Sequence, residues 1–416
     1  MTSTTALDDL AETVQGEARE AAEADAIDGV QPRWVASPSS LDQASALLRT
    51  AARLGLTVVP RGRGTTIDWG APPRTVDLVV STERLNRVVE HVAGDLVCVV
   101  QAGATLDAVN AEVSPHGQQL ALDQPVPGAT VGGTVSTTRS GPRRLLYGTP
   151  RDQVLGITIV RADGTVATAG GKVVKNVAGY DLAKLLGGAY GTLGLICQTV
   201  LRLYPVPRAQ RWLHASYPEV DAAAAAAGQV GGSQITPSAL EIRRAAGSQG
   251  ADVYVLLEGT EGGLDRRAKE TVDLLGVSAR TVEPDAPDGD RLTELPGAGD
   301  GTLVKVAVPI PGVASVLRVA QEAETQHGVS CRVQGSAGTG VLYLAVGGGA
   351  DAVAHTVTAL REAAVGGSAV VLRTSPAVRE LVDAWGPVSG LPLMRRVKDE
   401  FDPEHRLAPG RFVGGI

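Results

Sequence analysis

Pro60-Arg61-Gly62-Arg63-Gly64-Thr65-Thr66 follows the apolar run Thr57-Val58-Val59. A strand that runs into such a loop lets backbone N–H groups come close to an anion, and the two threonines add hydroxyls. The loop is not a dinucleotide turn of the G-x-G-x-x-G kind. Its third glycine position holds Ile67, and Asp68-Trp69-Gly70-Ala71-Pro72-Pro73 cannot start a helix promptly. Nor is it a nucleotide-triphosphate loop, since Gly171-Lys172 is followed by Val173, which has no hydroxyl for magnesium.

Two further stretches have the same texture. Pro125-Val126-Pro127-Gly128-Ala129-Thr130-Val131-Gly132-Gly133-Thr134-Val135-Ser136 is one. The other runs through Lys175-Asn176-Val177-Ala178-Gly179-Tyr180-Asp181-Leu182 and on to Gly191-Thr192-Leu193-Gly194-Leu195-Ile196. Each alone reads as a turn. Together, within one alternating strand–helix region, they suggest one extended polyanionic ligand threaded between three donor-rich loops.

Outward from these loops, residues 33–207 alternate strand and helix signals. A strand is expected at 33–36, then a helix at 41–54 after the caps Ser37-Pro38-Ser39-Ser40, and a strand at 57–60. Strands at 76–80 and 96–101, a helix from Thr105, and strands at 154–161, 165–167 and 195–203 complete the region. Tyr204-Pro205-Val206-Pro207 closes it. Beyond lie a polyalanine stretch, Ala222–Ala227, and short strands alternating with helices at 314–325 and 350–363, the pattern of an antiparallel sheet with helices on one side. The expected division is an acidic segment 1–30, a ligand domain 31–208, a cap domain 209–384, and a tail 385–416 returning to the ligand domain.

Composition narrows the function. The formal charge of −7 over 416 residues argues against nucleic acid, and the arginine pairs never extend into a basic run. Three cysteines, Cys98, Cys197 and Cys331, with no C-x-x-C, leave the chain unable to hold an iron–sulfur cluster or structural zinc alone. No metal site is expected. The N-terminal stretch lacks the basic and apolar regions of a signal peptide, and no apolar run reaches the roughly 18–20 residues that cross a bilayer. A cytoplasmic protein is expected, with any membrane association coming through partners.

The loops resemble the FAD-binding fold shared by vanillyl-alcohol oxidase, p-cresol methylhydroxylase and the D-lactate and glycolate oxidoreductases. The family's P-R-G-G-G-T-S corresponds to Pro60–Thr66, with Arg63 replacing a glycine and Thr66 the serine. G-A-T-[IV]-G-G matches Gly128–Gly133, K-N-x-x-G-Y-D-L matches Lys175–Leu182, and G-T-L-G-[IVL]-I matches Gly191–Ile196. The resemblance spans roughly residues 30–208. It implies an α+β, two-lobed FAD-binding domain of the vanillyl-alcohol-oxidase type with an antiparallel-sheet cap.

It also implies cofactor-binding residues: Pro60, Arg61, Gly62, Arg63, Gly64, Thr65 and Thr66 at the pyrophosphate, then Pro127, Gly128, Ala129, Thr130, Gly132, Gly133 and Ser136. Asn176, Gly179, Tyr180, Asp181, Gly191, Thr192, Gly194 and Ile196 complete the set. Members that bind flavin covalently through the first loop carry histidine where Thr65 stands, so FAD is expected to be non-covalent.

More narrowly, Ser140-Gly141-Pro142-Arg143-Arg144 with Arg151–Gly156, the run Gly170–Asn176, and the tail Leu391–Pro403 resemble the E subunits of bacterial glycolate oxidases. That implies a 2-hydroxy acid as substrate, with a second flavin subunit and an iron–sulfur subunit as partners. The tail reads Ala408-Pro409-Gly410-Arg411 where family members often carry asparagine before Pro-Gly. The alternative is a stand-alone FAD-dependent hydroxy-acid or alcohol dehydrogenase. A third reading, a flavin-less scaffold, has only Arg63 behind it.

The catalytic residues are unknown from sequence. Related D-lactate dehydrogenases carry H-x-x-G-D-G-N-x-H in the cap. The corresponding stretch here, Cys331–Gly340, has no histidine, and all six histidines are isolated along the chain. His405 reads as a surface histidine in a turn, and Arg332 and Arg373 are weak candidates for a carboxylate.

Overall fold

A computed structural model describes residues 3–172, 181–276, 279–282, 292–297 and 301–416. The chain divides into two units. The first holds Met1–Arg139, Thr149–Val206 and Val388–Ile416; the second holds Ser140–Gly148 and Pro207–Pro387.

The first unit has two main sheets. In a four-stranded sheet, Trp34–Ala36 and Val58–Arg61 run parallel to Leu78–Ser81 between them, and Ala18–Glu20 adds an antiparallel edge. The helix Leu41–Arg53 joins the two outer parallel strands. Ser40 caps it by accepting from Gln43 N, and Ala44, Leu47, Leu48 and Ala51 recur at helical spacing to bury one face. The second sheet is antiparallel, in the order Val88–Val92, Val97–Gln101, Leu195–Arg202, Val154–Val160, Val166–Gly170.

Two expectations change. The N-terminal stretch is not a segment apart: the helix Ser3–Thr13 buries Ala6 and Leu10 in the core of the four-stranded sheet, and Ala18–Glu20 joins that sheet. Ser140–Gly148, expected within the ligand domain, belongs to the second unit.

The tail pairs with the first unit. Val58 N donates to Arg406 O at 2.8 Å and Ala408 N to Val58 O at 2.7 Å. Lys398, on the helix Leu391–Phe401, is fully buried and reaches Thr192 O (2.8 Å), Asp402 Oδ2 (2.7 Å) and Leu407 O (2.9 Å).

In the second unit the described residues form an eight-stranded antiparallel sheet. Its order is Arg280–Val282, Ala209–Tyr217, Ala251–Gly259, Ala239–Arg244, Ser330–Ser336, Val341–Gly347, Thr302–Ala307, Ser368–Arg373. In chain order this is a β-α-β-β-α-β pattern used twice, the second copy reversed in the sheet, with Ala239–Arg244 and Ser330–Ser336 meeting at the middle. The helices Val220–Gly231, Glu261–Leu275, Val313–His327 and Ala350–Ala363 cover one face. Leu213, Ile242, Val253, Val255, Val304, Val306, Val333 and Leu344 point into that core at period two.

Candidate functional site: a glycine-lined cavity in the first unit

The three glycine-bearing segments meet within the first unit. Thr130 lies so close to Gly62 that a Cβ there would sit 2.3 Å from its Oγ1. The same Oγ1 accepts from Gly133 N at 3.2 Å, starting the helix Val131–Thr137. Gly132 presses against the neighbouring strand end: its N–H donates to Ala102 O at 2.7 Å, and a Cβ would lie 2.8 Å from the Ala102 Cβ. The third segment closes on the second through Tyr190 N, which donates to Ser136 O at 2.9 Å.

Between them is a cavity lined by residues of all three segments. Of the residues expected to hold the ligand, Pro60, Arg61, Gly62, Arg63, Gly64, Thr65, Thr66, Thr130, Gly132, Gly133, Ser136, Gly191, Gly194 and Ile196 line it.

Five others do not. Ala129 is fully buried, and its carbonyl accepts from Leu106 N. Thr192 turns inward, giving its hydroxyl to Ala189 O and its carbonyl to Lys398. Asp181 is exposed beside Lys184, 3.9 Å away. Pro127 and Gly128 lie off the lining in the turn before Thr130. Asn176, Gly179 and Tyr180 lie outside the described residues.

The charges around the first loop are held in place. Arg61 reaches Asp25 at 2.9 Å, and Arg19 reaches the other oxygen at 2.7 Å. The hydrogen bond from Arg19, seconded by that from Arg61, holds the Asp25 carboxyl well below the usual carboxylate range. Arg139, which the sequence did not single out, is buried and donates to the hydroxyls of both Thr65 and Thr66 at 3.2 Å. Those hydroxyls accept from Arg139 and keep their own protons for a ligand.

Arg411 comes from the tail. Its Nη2 donates to Ile67 O (2.6 Å) and Trp69 O (2.9 Å), and burial pushes its guanidinium down to about 10. Its Nη1 is buried with no partner among the described residues. A diphosphate-linked cofactor fits this lining: side-chain-free glycines admit it closely, and a cation with a spare donor faces the same space. Tyr190, Thr82, Ala102, Thr137 and Arg411 also line the cavity but were not anticipated. Tyr190 directly precedes the quoted Gly191–Ile196, whereas no sequence pattern pointed from Arg411 to Ile67.

The histidines offer little. His405 is half-buried and pairs with Asp399 at 2.7 Å. Four of the six, isolated along the chain, meet in space as ring pairs, His91 with His116 and His327 with His355. His214 stacks on Tyr254 and bonds to Asp252 at 2.9 Å. No group of three or more metal-ligating side chains exists among the described residues. Cys98, Cys197 and Cys331 are buried thiols, each pushed up to about 12 by burial.

Residues 32–170 match the FAD binding domain, and residues 378–412 match the C-terminal domain of FAD linked oxidases. The chain is similar to FAD-linked oxidases over these two stretches. FAD is its cofactor. It is 34% identical over 217 residues to glycolate oxidase subunit GlcD of Bacillus subtilis, covering 50% of this chain and 45% of that protein. It is 29% identical over 406 residues to a D-lactate dehydrogenase of Archaeoglobus fulgidus, covering 91% of each. Apart from that full-length match, the chain spans about half the length or less of the curated relatives it resembles.

Among solved structures, 4-ethylphenol oxidase from Gulosibacter chungangensis superposes with a TM-score of 0.75 at 15% identity, covering 98% of this chain and 96% of that one. p-Cresol methylhydroxylase gives 0.74 at 13%, with the same coverage. These likenesses carry the fold, which is the vanillyl-alcohol-oxidase type expected from the loops. No described helix is long and apolar enough to cross a membrane.

Proposed function

We propose that the chain is the FAD-binding subunit of a glycolate oxidase-type complex. It oxidises a 2-hydroxy acid, glycolate to glyoxylate, and passes the electrons to a second flavin subunit and an iron–sulfur subunit. The observation that carries this reading is the cavity formed by three glycine segments in a chain whose relatives include a glycolate oxidase subunit and a D-lactate dehydrogenase. The E-type assignment rests on Ser140–Arg144, Gly170–Asn176 and Leu391–Pro403, since the glycolate oxidase relative named above is a D-type subunit.

Bound FAD supplies a hydride acceptor at its N5. The chain's own contribution in this reading is positioning: Pro60–Thr66 and Gly132–Ser136 hold the cofactor by backbone donors, Arg139 orients the two threonine hydroxyls, and Arg411 offers a cation. Asn176, Gly179 and Tyr180 belong to the same proposed cofactor set.

The full-length likeness to a D-lactate dehydrogenase favours a second reading, a stand-alone dehydrogenase. Anaerobic mixing of the purified chain with glycolate or D-lactate separates the two. The subunit reading expects yellow protein whose absorbance near 450 nm, the general flavin band, stays unchanged until the partner subunits are added. Rapid bleaching of the chain alone means the stand-alone enzyme. No bleaching even with partners overturns both.

A further inference from the structure

Arg411 reaches the cavity from a tail that is held by a short series of bonds. Pro409 and Gly410, the latter at φ +91°, make a turn that Arg411 N closes by donating to Ala408 O at 3.2 Å. That turn sends the Arg411 side chain to the carbonyls of Ile67 and Trp69. Upstream, Leu407 runs parallel to Val58 and places the tail beside the outer strand Val58–Arg61. Arg74 ties the turn down, its N–H donating to Pro409 O at 2.8 Å and its guanidinium to Gly415 O at 2.7 Å. Against these bonds stands backbone strain. His405 and Ala408 sit at φ +52° and +44°, the left-handed region that residues with a Cβ adopt at a cost.

The second cost is electrostatic. Arg411 is 4% exposed and makes no ion pair among the described residues, and its Nη1 is buried with no acceptor there. Asp28 and Asp68 act on it only from beyond ion-pair distance. A buried N–H without an acceptor is destabilising, the more so on a cation. Nη2 is bonded to two carbonyls, so the guanidinium is fixed and Nη1 cannot swing to another group. Arg411 lines the cavity, and a molecule filling that cavity can supply the missing acceptor.

We infer that Arg411 Nη1 donates to an acceptor oxygen of the bound cofactor, and that the cofactor thereby locks the tail onto the first unit. This rests on the cavity being the FAD site, not on the proposed substrate or partners. By linkage, the factor by which the docked tail raises FAD affinity is the factor by which FAD favours the docked tail. A diphosphate oxygen and a flavin ring carbonyl are both acceptors for a guanidinium N–H, and the test separates them.

The test compares the full-length protein with and without FAD by hydrogen exchange, read by mass spectrometry. Amides of the peptide 402–416 are expected to exchange about tenfold faster once FAD is removed, while those of the helix Leu41–Arg53 in the same unit stay unchanged. ADP added to the stripped protein restores the protection if the acceptor is a diphosphate oxygen. Protection restored by FAD but not by ADP assigns the acceptor to the flavin. Arg411→Met removes the stranded donor: its FAD Kd rises about tenfold or more, and its tail exchanges at nearly one rate with and without FAD. Arg411→Lys, which keeps a charge but not the fork, falls between. Equal tail exchange in wild type with and without bound FAD overturns the inference, whatever the variants do, and leaves the cofactor site standing. So does an Arg411→Met variant that binds FAD as tightly as wild type. Protein that takes up no FAD at all sinks the site and the inference together.

Discussion

Lys398→Met lowers the stability of the protein by about 3–5 kcal/mol, because it breaks a buried ion pair from one side only. Lys398 and Asp402 are both fully buried, 2.7 Å apart, and burial holds the Lys398 ammonium below the ordinary lysine range. The methionine fills the space, but Asp402 keeps only the Leu407 N–H at 2.7 Å, and the carbonyls of Thr192 and Leu407 lose their donor. The loss reaches the cavity, since Thr192 follows the lining residue Gly191 and Leu407 leads to Arg411. Denaturant unfolding of the full chain measures it, and FAD dissociation should quicken in parallel. In the double variant with Asp402→Leu the two losses are sub-additive, because the second change removes the stranded carboxylate. Full additivity, or a loss under about 1 kcal/mol for the single change, contradicts this account of the tail.

Gly132→Val weakens FAD binding without unfolding the chain. A side chain at position 132 meets both the Cβ and the carbonyl of Ala102, at 2.8 and 3.1 Å, on a backbone that cannot retreat because Ala102 N is bonded to Cys197 O at 2.9 Å. The helix Val131–Thr137 must shift, and with it the lining residues Gly133 and Ser136. Overpacking of this kind costs about 1–3 kcal/mol, and a shift spent at the cofactor's contacts weakens FAD binding up to about a hundredfold. Flavin titration of the apoprotein gives the affinity. Gly228→Ala is the matched control: it lies in the helix Val220–Gly231 with open space around it, so it should leave FAD binding unchanged and add a little stability. Equal FAD affinity in Gly132→Val and wild type would place the cofactor elsewhere.

The first unit was legible because its loops carry chemistry in their residue types. Val58-Val59 before Gly62 and Gly64, and Thr130 before Gly132, each state a backbone requirement that only a few conformations satisfy. Fourteen residues named from those loops line one cavity. What sequence could not supply was direction. Ala129 and Thr192 sit inside the quoted motifs yet face the core, because a buried helix start and a buried lysine claim their polar groups. Arg139 and Arg411 were missed for the opposite reason: an arginine's reach is set by tertiary packing over tens or hundreds of residues, which neither spacing nor periodicity encodes.

In the second unit the strand and helix signals were readable, but the doubled β-α-β-β-α-β pattern was not. Its two copies share alternation, not residues, and their strands Ala239–Arg244 and Ser330–Ser336 meet across a long stretch of chain, Arg243 opposite Gln334. The placement of Ser140–Gly148 was hidden in the same way, since it stands between first-unit segments in the chain yet belongs to the second unit.

Acid precipitation of the purified chain tests the central claim most directly. Non-covalent FAD held between three glycine segments predicts a colourless pellet and a yellow supernatant containing about one FAD per chain, as a single-cofactor cavity requires. Flavin retained in the pellet, or protein that never carries flavin, would contradict it.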